Sequence, residues 1–165
     1  GFWGIFGALL HMLNHALTKS LLFFSAGNVL LKYKTRGIEE VRGIARTMPF
    51  TAVLLLIGAL AITGSPPFSV FTSEIMVMTA GFDQGDVWAT VAYIAIIVVI
   101  FAAFMAHISK MVFGEPPEGM KKGEASKVGL LPMIVLAATI LIMGLYLPGL
   151  LSDGLRSIVD LFGGA

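Results

Sequence analysis

Three ionisable side chains, His11, His15 and Lys19, recur at every fourth position within an apolar run, and a lone carboxylate, Glu74, sits inside a second one. Helix positions four apart lie on nearly the same face, and a rise of about 1.5 Å per residue spreads the three over roughly 12 Å. Asn14 and Thr18 lie beside them and can hold water or hydrogen bonds. Histidine titrates near neutral pH, and a lysine in apolar surroundings changes charge state with its neighbours. Such a ladder suits proton transfer. Plainer alternatives exist for each residue. Lys19 can snorkel toward an interface, the histidines can be packed polar groups, and Glu74 can be a capping or structural carboxylate. A metal pair at His11 and His15 lacks a nearby carboxylate or cysteine in sequence.

The elements that hold these residues belong in a bilayer. Of 165 residues, 57% are hydrophobic and only 13% charged, with a mean hydropathy of +0.91. A soluble domain has about 45–50% apolar and about 25% charged residues, so this chain cannot coat a globule with charge. Cysteine is absent, which removes disulfides, thiolate-bound iron–sulfur clusters and cysteine zinc sites. No nucleophile–base pair, phosphate-binding glycine loop or cofactor motif occurs. The chain is therefore expected to be non-catalytic, with no cofactor or metal of its own and any electron transfer in other subunits. A net charge of +1 argues against a nucleic-acid partner. The first segment has no basic lead-in or small-residue cleavage site and reads as a full span. The chain is expected to be the C-terminal portion of a longer subunit.

Four apolar segments cover residues 1–31, 49–81, 87–113 and 128–151, followed by a short, weakly amphipathic tail at 152–165. A bilayer-spanning helix needs roughly 20 residues. The expected fold is all-α, a polytopic transmembrane helix bundle of four spans. Gly64-Ser65-Pro66-Pro67 interrupts the second segment, because proline removes a backbone donor and clashes with the preceding turn. The result is either one broken span or a re-entrant hairpin. Nine of the eleven Lys and Arg fall in or at the edge of two alternate connections, with Lys32, Lys34, Arg36, Arg42 and Arg46 in one and Lys121, Lys122 and Lys127, with Lys110 at its edge, in the other. Cytoplasmic loops collect Lys and Arg, so loops 32–48 and 114–127 are expected in the cytoplasm. The second segment must then cross as a broken span, with Glu74 beyond the break on its outer half. His107, one turn before Lys110, fits a proton uptake point or a plain interfacial histidine.

The run from Leu10 through His11, Asn14, His15 and Lys19 to Phe24 resembles the antiporter-like proton-pumping subunits of respiratory complex I. That family also includes the Mrp-type cation/proton antiporters and the membrane arm of group 4 hydrogenases. Gly64-Ser65-Pro66-Pro67-Phe68, followed by Phe71 and Ser73-Glu74, is similar to the family's broken helix. The stretches Lys110–Pro117 and Leu145–Pro148 resemble the hydrogenase-4 component F branch most. The resemblance implies that Lys19 is the central-axis lysine, His11 and His15 the histidines before it, and Glu74 the terminal acid of a half-channel. It implies proton translocation within a redox-driven complex of the hydrogenase-4 or NADH dehydrogenase-like kind, with other membrane subunits and peripheral redox subunits as partners, in a prokaryotic inner membrane. The alternatives are an Mrp-type sodium/proton antiporter subunit and a structural membrane scaffold.

Overall fold

The computed structural model describes residues 1–162. Helix α1 runs unbroken from Phe2 to Tyr33, 32 residues without a proline. At about 1.5 Å per residue it exceeds a hydrocarbon core of about 30 Å. It ends where Lys34 turns left-handed (φ 58) and donates its N–H to Leu30 O. A loop carrying the Arg42–Glu39 pair leads to the single turn α2 (Ile44–Thr47). Helix α3 (Pro49–Ile62) opens on proline, at a position whose N–H would have no helical partner anyway.

The tetrad at 64–67 separates α3 from α4 (Ser69–Asp83). Gly64 takes φ +68, its N–H reaches Ala61 O at 3.2 Å, and the Ser65 N–H reaches Leu60 O at 3.0 Å. This paired closure is a Schellman motif, which needs a left-handed residue at the glycine position. Two prolines then prevent any continuation. The chain resumes with Phe68 N–H on Ser65 O at 3.2 Å.

Helices α5 (Val87–Phe113), α6 (Leu130–Leu145) and α7 (Gly149–Leu161) complete the order. All regular structure among the described residues is helical. Helix α5 is, among them, the one helix long and apolar enough to cross a bilayer alone. Val91, Ile96, Val98 and Val99 on it are exposed, an apolar surface suited to lipid or a partner and not to water. Helices α6 and α7 pass the same test only as a pair, bent by 71°. The fourth apolar segment, expected to continue to Leu151, thus stops as a helix at Leu145. The residues after Pro148 form α7, with Leu155 and Val159 packed on Phe6 and Leu10 of α1. The last residues of the expected tail, 163–165, lie outside the described residues.

Helix α1 touches three buried clusters in turn. Near its start lie Phe6 and Leu10. Midway, Leu21 meets Leu54, Ala61, Phe68, Met133 and Ile140. Near its end, Val29 and Tyr33 join Ile44, Met48, Leu55 and Val112. Glycines let α4 approach α1 closely, since a Cβ on Gly7 would come within 2.8 Å of Met76 Cβ and one on Gly4 within 3.2 Å of Ala80 Cβ. Small residues at such crossings let membrane helices approach to backbone distance.

Candidate functional site

The close crossing of α1 and α4 brings the histidine ladder to the segment that carries Glu74. His11 Nδ1 lies 3.1 Å from Ser73 Oγ. The Ser73 hydroxyl donates to Val70 O at 2.7 Å, so it accepts from a protonated His11 Nδ1. One turn on, Asn14 is fully buried and donates its amide to Ser69 O at 2.7 Å, in the first turn of α4. Asn14 Oδ1 and Ser69 Oγ are buried without a hydrogen-bond partner among the described residues. Two polar atoms in that condition mark a site able to hold water.

Glu74 is 7% exposed. Its carboxylate occupies the space beside Gly64 that any Cβ there would fill. The glycine therefore serves twice, closing α3 in a left-handed turn and seating the carboxylate against the break. Among the described residues neither Glu74 nor Lys19 has an ion-pair partner.

The ladder is not a straight stripe. Four residues advance a helix by about 400°, so each step of four drifts about 40° around the axis. His11 and His15 are half-buried, their rings 5.6 Å apart and inclined by 27°. By Lys19 the drift has carried the side chain out of the crossing, onto an exposed face. There it borders an open groove of about 840 Å³ with Leu22, Phe23, Phe104, Ile108 and Met111. The structure thus brings His11 to the Glu74 segment, sets His15 beside His11, and leaves Lys19 outside the crossing at the open groove. His107 is exposed on α5 and, among the described residues, shares no hydrogen bond with the rest.

The fully buried polar face of α1 instead follows steps of three and four: Asn14, Thr18, Ser25 and Asn28, interrupted by Leu21. The sequence reading picked out the first two. It quoted Ser73 only as part of the Ser73-Glu74 motif and passed over Ser69, Ser25 and Asn28, for which the three–four spacing of small polar residues on one helix was the available signal. No group of three metal-binding side chains converges among the described residues.

The family model described as NADH:quinone oxidoreductase/Mrp antiporter, TM, matches residues 1–100. The chain belongs to this family. That stretch holds the α1 ladder, the break and Glu74. Within the family, the hydrogenase-4 component F homolog of Methylacidiphilum infernorum is 32% identical over 145 residues, which is 87% of this chain and 29% of that protein. NADH-quinone oxidoreductase subunit N of Desulforudis audaxviator is 28% identical over 163 residues, 90% of this chain and 32% of its own length. The Mrp complex from Dietzia sp. contains a chain of the same fold, with a TM-score of 0.80 at 22% identity, over 98% of this chain and 38% of that one. This chain thus spans roughly a third of the length of these relatives. The resemblance read from the Leu10–Phe24 and Gly64–Glu74 motifs is borne out, and the chain is an integral membrane protein.

Proposed function

We propose that this chain is part of a membrane subunit that translocates protons, driven by redox chemistry in partner subunits of a hydrogenase-4 or NADH dehydrogenase-like complex. The observation that carries the proposal is the contact of His11 with Ser73, which joins a titratable ladder on one helix to the segment of a broken helix that bears Glu74. His15 and His11 exchange protons along the crossing. Lys19 stores charge at the far end of the ladder, and Glu74 passes the proton to the outer half of the membrane. Water held by Asn14 and Ser69 supplies mobile donors and acceptors between them.

The bundle crosses the membrane four times, as α1, as α3 with α4, as α5, and as α6 with the bent α7. The two Lys/Arg-rich connections, 32–48 and 114–127, face the cytoplasm of a prokaryotic inner membrane. A charged lysine at mid-bilayer costs about 2.5–3.5 kcal/mol on insertion scales, so the exposed face of Lys19 is covered by protein or water in the complete subunit. Two imidazoles and an ammonium favour protons over sodium, since a hard cation requires a shell of oxygen ligands and Glu74 is the one carboxylate at the crossing.

Replacing Lys19 by Ala in the complete complex tests the proposal. Proton translocation into vesicles should fall severely while the redox subunits remain assembled. Unchanged translocation refutes the reading. Loss of assembly alone favours a scaffold, and sodium-dependent transport favours an antiporter subunit of the Mrp type.

A further inference from the structure

Outside the α1–α4 crossing, one loop carboxylate caps the first turn of a helix far from it in sequence and joins a buried polar cluster there. Glu124 lies in the connection between α5 and α6, yet its Oε1 accepts from the N–H groups of Phe50 at 2.9 Å and Thr51 at 3.4 Å, in the first turn of α3. Its Oε2 accepts from the Thr51 hydroxyl. The same hydroxyl oxygen accepts from the Asn28 amide at 2.7 Å, and Asn28 Oδ1 accepts from the Ser126 N–H at 3.0 Å. The loop is anchored immediately before Glu124, where Gly123 O accepts from Lys32 Nζ at 2.9 Å and Gly123 N–H donates to Thr47 O at 2.8 Å. Thr51, Asn28 and Ser25 are buried polar side chains at the loop end of the bundle.

From this cluster the buried face of α1 leads toward the ladder, and a single side chain interrupts it. Ser25 follows Asn28 by one turn, then comes Leu21, then Thr18 and Asn14. Leu21 has no exposed surface and is clamped among Leu54, Ala61, Phe68 and Met133. Across from it α3 presents Gly58, whose missing side chain lets the neighbouring Leu22 approach to 2.9 Å from where a Cβ would stand. Polar groups thus lie on both sides of one dry leucine, with the Ser25 hydroxyl donating to Leu21 O and the Thr18 hydroxyl to Asn14 O, both at 2.8 Å. Four residues from Ser25 to Leu21 and three from Leu21 to Thr18 amount to about 10 Å of helix, a gap that a few transient waters can bridge.

We propose that Glu124, positioned by Thr51 and Asn28, is a cytoplasmic proton inlet to the ladder, and that Leu21 is the barrier between them. This rests on the proton-translocating reading above. A hydronium at the loop surface protonates the Glu124 carboxylate and leaves water. Glu124 then releases that proton to water drawn in beside Asn28 and Ser25, regenerating the carboxylate. The proton passes Leu21 only when the gap is hydrated, and reaches the imidazole ladder. Lys32 of α1 reaches the loop at Gly123, next to Glu124, and Lys121, Lys122 and Lys127 lie within three residues of Glu124 in the sequence.

The test uses the complete complex reconstituted in vesicles. Glu124→Gln keeps an acceptor oxygen for the α3 N–H groups but cannot carry a proton. It should assemble and slow translocation on the order of tenfold, and Glu124→Asp should recover part of the rate. Wild-type rates in Glu124→Gln, or equal failure of Gln and Asp variants to assemble, overturn the inlet in favour of a loop clamp. Leu21→Ala should open a passive proton leak that Glu124→Gln removes when combined with it. A leak indifferent to Glu124, or no leak, also overturns the proposal. Lys19→Ala measured alongside separates the two readings. If Lys19→Ala is inactive while Glu124→Gln is normal, only the inlet fails, whereas normal translocation in Lys19→Ala removes the larger reading.

Discussion

Gly64 is where the fold and the proposed chemistry meet, and Gly64→Ala is the perturbation that separates them. At φ +68 an L side chain costs about 1–2 kcal/mol. The added Cβ would also coincide with the Glu74 carboxylate, forcing that side chain off its rotamer at about 1 kcal/mol more. The expected destabilisation is about 2–3 kcal/mol, read as a lowered melting temperature of the purified full-length subunit. Glu74→Asp shortens the acid by one methylene and withdraws it from the clash. The double variant should therefore be less destabilised than the two single variants added together, by about 1 kcal/mol. Gly154→Ala in α7 is the control, because its Cβ meets nothing within 4 Å and an alanine in a helix should gain about 0.5–1 kcal/mol. Strict additivity of Gly64→Ala and Glu74→Asp would refute the contact between glycine and acid, and with it the reason the break holds Glu74.

Gly144→Ala should be severe for a different reason. Its Cβ would overlap the Pro67 carbonyl and stand 2.6 Å from Phe68 C and 2.7 Å from Ser69 N, and backbone atoms cannot swing aside. A loss of more than about 2 kcal/mol, or failure of α6 to dock, should show in thermal melting of the subunit. Ser73→Ala removes the partner of His11 at a net cost of about 1 kcal/mol. It should leave assembly intact and slow proton translocation in vesicles; a wild-type rate would show that the contact does not carry protons.

The sequence announced the chemistry more clearly than the geometry. Pro66 and Pro67 cannot sit inside a helix, so the break was legible, and the paucity of charge made the bilayer unavoidable. The spacing of His11, His15 and Lys19 was equally visible, but the 40° drift per step of four turns Lys19 out of the α1–α4 crossing and onto the open groove. Ser73, Ser69 and Asn14 meet across a helix crossing that Gly4 and Gly7 permit, and no pattern within one segment states which helix lies opposite. The Glu124 cluster joins residues 74 positions apart in sequence, and no local pattern marks a loop glutamate that caps a distant helix. The bend at Tyr146–Pro148 was written in Pro148, but the apolar residues after it hid the change of direction.

The account depends on Glu74 carrying the proton beyond the break. Its most direct test is the number of protons moved per electron pair by the complete complex with Glu74→Gln, measured in sealed vesicles beside the wild type. Glutamine fills the same space against Gly64 but cannot release a proton, so the ratio should drop while the complex stays assembled. A wild-type ratio in that variant would contradict the account.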